Sequence, residues 1–263
     1  MKSDTQTQFE ISSLTPILRN AGHATLQHFR SSLTIENKAG PGDFDPVTQA
    51  DKMAESIIRE GLARQFPEHA ILGEEFGGEI GDGWTWIIDP IDGTRSFMSG
   101  MLHWGILLGL YENGEPRFGA MYQPFTDELF WGDSKTAHYQ RGEASRELRV
   151  SPCEGLAAAT LAATGPDMFA ADELPRFNAV QQAARQVRFG GDCYLYSLIA
   201  MGQIDIGVEA SLQPYDIAAL IPIVEGAGGI VTNWEGGSAA LGGQVVAAGD
   251  HRVHDAVLKL LAP

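Results

Sequence analysis

The stretch Trp86-Ile87-Ile88-Asp89-Pro90-Ile91-Asp92-Gly93-Thr94 decides how the rest of the chain is read. Residues 84–88 form a short apolar run of buried-strand character, and the run ends on two carboxylates separated by a proline, with Gly-Thr behind. Pro90 has a fixed φ and no amide donor, so the chain is expected to turn after the strand and let Asp89 and Asp92 converge. Converging carboxylates repel unless a divalent cation sits between them. Two carboxylates plus a backbone carbonyl such as that of Ile91 suit Mg²⁺ or Mn²⁺ better than Zn²⁺. Gly93 lets the backbone approach a ligand, and a helix opening at Thr94 to Ser96 would offer amides and its dipole to a phosphate. The alternative is a strand ended by an Asx turn, its aspartates merely capping the next helix.

Upstream, Ala70-Ile71-Leu72-Gly73-Glu74-Glu75 is a second short apolar run ending in acid. A second strand delivering carboxylates to the same edge shifts the balance toward a metal site. Together with Pro214-Tyr215-Asp216 and Glu225-Gly226-Ala227-Gly228-Gly229, these segments resemble the ordered signatures of the inositol monophosphatase family of Mg²⁺-dependent phosphatases. The resemblance spans most of the chain. It implies an α/β fold of α-β-α-β-α layers, in which Glu74, Asp89 and the Ile91 carbonyl hold one Mg²⁺ and Asp89, Asp92 and Asp216 a second. It further implies that Glu74 and Thr94 orient the attacking water, and that Asp51 of Thr48-Gln49-Ala50-Asp51 reaches toward a third, weaker ion through water. Read without the resemblance, Asp51 could equally be a surface acid favoured by a helix dipole.

With 263 residues and 44% hydrophobic content the chain can bury a full core, and one unit is expected, with a metal-binding lobe at about 1–150 and a pocket lobe at about 151–263. Eighteen basic against 34 acidic residues give −16, which argues against nucleic acid or an anionic membrane surface as partner. The two cysteines, Cys153 and Cys193, make no disulfide framework. The start of the chain is polar and no apolar run approaches the ~18 to 20 residues of a membrane span, so a cytoplasmic enzyme is expected. The resemblance adds a homodimer.

Helical spacing is expected over 9–30 and from Thr48 onward, with a turn-rich, mobile loop at 37–46 between them. Strands at 103–111 and 117–122 flank the hairpin signal Asn113-Gly114, and further strands are expected at 128–131, 137–140 and 147–150. The second half reads as a strand at 157–163, helices at 173–185 and 190–201, a strand at 204–209 and a helix after Pro214. Strands near Ile230 and at 245–248 follow, then a last helix capped by Asp250. His251 and His254 have a spacing that could bind metal but no further ligand nearby.

Substrate choice is expected from Arg188, Asp192 and Glu209 together with Asp92, Gly93, Thr94 and Asp216. Gly191-Asp192-Cys193-Tyr194 stands where inositol-hydrolysing members read Gly-Thr-Ala-Ala, and the pocket segments are most similar to the histidinol-phosphate phosphatase branch. Asp192 and Glu209 would pair with the ammonium and imidazole of L-histidinol phosphate, and Arg188 would touch the phosphate directly or across a dimer interface. Inositol 1-phosphate, a nucleotide 3′-phosphate such as PAP, or a catalytically silent binding module on the same fold remain the alternatives.

Overall fold

The computed structural model describes residues 11–31, 35–37 and 46–263; the loop expected at 37–46 and Phe9 fall largely outside them. In chain order, α1 spans Ile11–Leu26, a ribbon pairs β1 (Ile35–Asn37) with β2 (Pro46–Thr48), and α2 spans Gln49–Gln65. A seven-stranded sheet then runs in strict chain order: β3 Ala70–Gly73, β4 Trp84–Asp92, β5 Gly105–Glu112, β6 Glu115–Gln123, β7 Glu128–Gly132, β8 Ala137–Arg141 and β9 Ala144–Glu147, with α3 (Thr94–Met98) between β4 and β5. Only its β3–β4 pair is parallel. The remaining elements are β10 Thr160–Ala163, α4 Leu174–Ala183, β11 Gln186–Phe189, α5 Asp192–Ala200, β12 Ile206–Leu212, α6 Pro214–Ile217, α7 Leu220–Gly226, β13 Ile230–Thr232, β14 Gly243–Ala248 and α8 His251–Leu261. Their five strands make a second sheet, ordered β11-β10-β12-β14-β13.

Side-chain alternation builds the layers. On β5, Ile106, Leu108 and Leu110 face α1 and α2 through Leu14, Leu18, Ile58 and Leu62, while Leu107 faces the other way. That second face packs, with Met121 and Phe130, on Leu195, Ile199, Leu220 and Ile223 of α5 and α7, and the same helices meet Val245 and Ala247 of the second sheet. Phe177 and Val180 of α4 and Val253 and Val257 of α8 cover that sheet's outer face. The result is the expected α/β fold of α-β-α-β-α layers. Each fully buried large aliphatic contributes ~1.5–3 kcal/mol of burial free energy, so the three stacked interfaces hold the fold.

Three glycines let the middle layer pack directly on the first sheet. Gly109, Gly119 and Gly132 are neighbours across β5, β6 and β7. A Cβ on any of them would overlap Ala218, Ala219 or Pro222, so the bare row seats α6 and α7 and brings Asp216 over the sheet.

Several expected bounds move. Pro90 does not end its strand: β4 continues to Asp92 through a bulge. The strand expected at 147–150 lies earlier, at β9, because the turn at Gly142 (φ 56°) starts the pairing at Ala144. The strand expected from 157 begins at Thr160, after a tight turn at Leu156–Ala158, and the one expected at 204–209 is β12. Strand β11, unanticipated, is a largely exposed edge whose alternation of Val187 and Phe189 with polar residues runs for only four residues. Asp250 caps α8 as expected, accepting from the Arg252 amide at 2.9 Å. Among the described residues no helix is long and apolar enough to cross a membrane.

Candidate metal and phosphate site

Residues three apart on a regular strand point to opposite faces. Between Asp89↔Leu107 and Asp92↔Gly105, β4 advances three residues while β5 advances two, so one extra residue is inserted. That bulge returns Asp89 and Asp92 to the same side, and Pro90 fits there because a bulged residue needs no ladder donor. Next to it, the Glu74 amide donates to the Ile88 carbonyl at 3.1 Å, one step beyond β3, and sets Glu74 beside Asp89. Asp216 arrives from the middle layer as the third residue of α6, where its Oδ2 accepts the Gln213 amide at 2.7 Å.

One oxygen each of Asp89, Asp92 and Asp216 lies within 4.8 Å of the others. Backbone donors are few: Ile91 N–H to Asp89 Oδ1 at 3.0 Å, and Cys193 N–H, at the start of α5, to Asp92 Oδ2 at 2.6 Å. Burial, then the charges of Glu74, Asp92, Asp216 and Asp51, push the Asp89 carboxyl well above its ordinary range. Burial and the charges of Asp216 and Asp192 do the same to Asp92. Asp216 is raised to about 7, by burial, with the Gln213 amide opposing and the charges of Glu74 and Glu209 adding to it.

Asp51 completes the acidic set. It is fully buried, not a surface acid: its Oδ2 accepts the Thr48 amide at 2.8 Å and the Thr48 hydroxyl at 2.5 Å in a capping box on α2. Its Oδ1 is buried without a protein partner, and burial, opposed by Thr48 and reinforced by Glu75, raises the group to about 6. An orphaned buried oxygen beside like charges fits a cation or its bound water.

A profile of the inositol monophosphatase family matches residues 8–262. The chain belongs to this family. Its members are metal-dependent phosphatases of small phosphate monoesters, and the buried, donor-poor carboxylates described above fit a divalent ion. The chloroplastic bifunctional phosphatase IMPL2 of Arabidopsis thaliana is 35% identical over 92% of this chain and 71% of its own length. A histidinol-phosphatase of Chlorobaculum parvum is 35% identical, covering 87% of each chain. The solved structure of an inositol monophosphatase from Zymomonas mobilis superposes with a TM-score of 0.85 at 35% identity, over 95% of this chain and 96% of that one.

Against the family pattern, the remaining expected residues divide. Thr94 opens α3 and its hydroxyl donates to the Ile91 carbonyl at 3.0 Å, so Thr94 and Ile91 act as one unit. Gly93 adopts φ 83°, and a Cβ there would strike the His103 carbonyl and crowd Asp192. Asp192, itself at φ 42°, therefore lies against the metal turn, its Oδ2 accepting the Ser96 hydroxyl at 2.7 Å. Burial raises its pKa, with Ser96, His103 and Arg95 opposing. Glu209 is 2% exposed and accepts the Thr164 amide and the Tyr196 hydroxyl, both at 2.9 Å. Burial lifts it to about 7. Arg188 is elsewhere: it sits exposed on the edge strand β11 and bonds the Gln186 side chain at 3.2 Å and the Val187 carbonyl at 3.5 Å. His254 is no ligand either, since its Nε2 meets the Thr232 hydroxyl at 2.9 Å.

Sequence reading missed Ser96, the Cys193 amide and Glu55. The first two act through a short hydroxyl and a backbone group that carry no charge pattern. Glu55 had a signal: an acid on the buried stripe of α2, four residues before Arg59.

Proposed function

We propose that this phosphatase hydrolyses L-histidinol phosphate to L-histidinol, with Mg²⁺ as its metal. The observation that carries this reading is Asp192, a half-buried carboxylate lodged against Gly93 of the metal turn, where a neutral polyol would offer it no counter-charge. Glu209, raised to about 7, adds a second acid beside Asp216 that an ammonium or imidazolium would ionise. Relatives that are histidinol-phosphatases support the reading.

In this mechanism Glu74, Asp89, Asp92, Asp216 and the Ile91 carbonyl would hold the metal, which when bound would supply Lewis acidity to the phosphate oxygens and lower the pKa of water. Asp51 offers its unpaired Oδ1 to an outer ion or its water. Thr94 has spent its proton on the Ile91 carbonyl, so its oxygen can only accept, and it orients a water while the Glu74 carboxylate takes the water's proton. The bare backbone of Gly93 makes room for the His103 carbonyl and for Asp192, which seats α5 against the metal turn. The Cys193 amide keeps Asp92 from rotating away. The likeness to a solved inositol monophosphatase favours inositol 1-phosphate as the second reading.

The test compares kcat/KM for L-histidinol phosphate, inositol 1-phosphate, PAP and fructose 1,6-bisphosphate. A preference of a hundredfold or more for histidinol phosphate, ~2.7 kcal/mol of transition-state discrimination, is expected, and it should shrink in Asp192→Asn. A preference for inositol phosphate or PAP in the wild type would overturn the substrate assignment and leave the metal assignment standing.

A further inference from the structure

Helix α2 carries Asp51, Glu55 and Arg59 at successive four-residue steps, which places all three on one face. The first belongs to the acidic cluster. The other two hold the loop that delivers Glu74, although neither is part of the family's metal set as described above.

That loop closes on itself, the Gly73 and Gly77 amides each donating to the other's carbonyl at 3.0 Å. Glu55 is fully buried beneath it. Its Oε2 accepts the Glu75 amide at 2.7 Å, and its Oε1 accepts the Phe76 amide at 3.3 Å and Arg59 Nε at 2.6 Å. Arg59 also donates from its terminal nitrogen to the Gly77 carbonyl. A Cβ on Gly73 would overlap the Glu55 carboxylate, so the backbone is packed directly on the acid. The loop is therefore fixed from below at residues 75, 76 and 77, immediately after Glu74.

A buried acid and its arginine are costly to desolvate and would more easily be replaced by apolar residues if only loop packing were needed. Here, apart from their bond to each other, Glu55 and Arg59 hydrogen-bond the strip of backbone immediately after Glu74. Arg59 also cancels the charge of Glu55, so the pair anchors the loop without adding repulsion to the cluster.

We propose that Glu55 and Arg59 are positioning residues for Glu74, setting the affinity of the metal site without touching metal or substrate; this rests on Glu74 being a metal ligand. Gln in place of Glu55 keeps the shape but turns one acceptor into a donor, which must face either an amide or the guanidinium. The experiment measures Mn²⁺ binding to the full chain by calorimetry and by electron paramagnetic resonance, with half-activating Mg²⁺ and KM for the phosphate ester read in parallel. In Glu55→Gln the Mn²⁺ Kd and the half-activating Mg²⁺ should rise about tenfold, with KM at saturating metal changed less than threefold. Added to Glu74→Gln, the same change should raise Kd no further, because it acts through that residue. Should Glu55→Gln fail to fold, Arg59→Gln carries the test, its guanidinium being partly exposed, and the same direction is expected. A folded variant that binds Mn²⁺ as the wild type does, or a Glu55→Gln effect that adds fully to Glu74→Gln, overturns the proposal. A wild type that binds no Mn²⁺ would instead overturn the metal site itself.

Discussion

Two groups of half-buried or buried acids in this fold are treated in opposite ways. Glu128 on β7 accepts the Thr126 hydroxyl at 2.7 Å, the Tyr139 hydroxyl at 2.8 Å and the Tyr194 hydroxyl. Burial pushes its carboxyl up, but the hydroxyls of Tyr194, Thr126 and Tyr139 and the charge of Arg141 outweigh it and hold the group below its ordinary value. Asp89, Asp92 and Asp216 have no such company: each faces the others' charge with a backbone amide or two, and all three are raised. A fold that can dress a carboxylate with three donors at one place has left three undressed at another. The difference locates the missing positive charge, and for this family the missing charge is a metal ion.

Substitution should separate the two groups most widely in activity. Asp92→Asn ought to lower kcat by three orders of magnitude or more, since it takes the charge from a carboxylate proposed to hold the metal while its amide oxygen can still accept from Cys193. Steady-state assays at saturating Mg²⁺ measure this, and full activity would break the comparison. Metal-free Asp92→Asn should at the same time be no less stable than the wild type, because one repelling charge is gone.

Glu128→Gln should show the reverse pattern, with stability lost and activity nearly kept. Three hydroxyls would lose a charged acceptor, a cost of about 1–2 kcal/mol, which corresponds to a few degrees in Tm for a chain of this size. For Glu128 the folded pKa is depressed, so its stabilisation is present above the unfolded carboxylate pKa and is lost as pH falls through the folded value. Thermal scans of both proteins at falling pH should converge. A hundredfold loss of kcat in this variant would mean that Tyr194, at the start of α5, couples the Glu128 cluster to Asp92 more tightly than the geometry requires.

How far the sequence could be read follows the same division. The convergence of Asp89 and Asp92 was legible from their types and spacing, but its cause was not. Proline read locally is a turn, whereas the bulge depends on the register with β5, a strand that begins 13 residues beyond Asp92. The layer order came with the resemblance and with apolar periodicity. The row Gly109, Gly119 and Gly132 that seats α6 becomes a row only once three strands are in register, so no single stretch announces it. The exposed edge β9 has no buried face and hence no period, and β11 alternates over only four residues, too few to stand out. Arg188 was placed by the resemblance of residues 188–194 and by its charge, and within one chain it lies on an exposed edge strand bonded to Gln186. Asp51 was legible as a helix-start residue, while its burial was set by packing.

The most direct test of the metal-site account is the Tm of the metal-free protein at pH 5.5 and pH 8, each with and without Mg²⁺. The raised groups, Asp51 at about 6, Asp216 and Glu209 at about 7, and Asp89 and Asp92 well above their ordinary range, have folded pKa values above their unfolded ones. Their stabilisation is therefore full below the unfolded carboxylate pKa and is lost as pH rises through about 6 to 7 and beyond. The metal-free protein is expected to melt lower at pH 8 than at pH 5.5, and Mg²⁺ is expected to raise Tm at pH 8 far more than at pH 5.5, where protons compete for the same oxygens. A Tm at pH 8 that does not respond to Mg²⁺, or a metal-free protein that grows more stable between pH 5.5 and pH 8, would contradict the account.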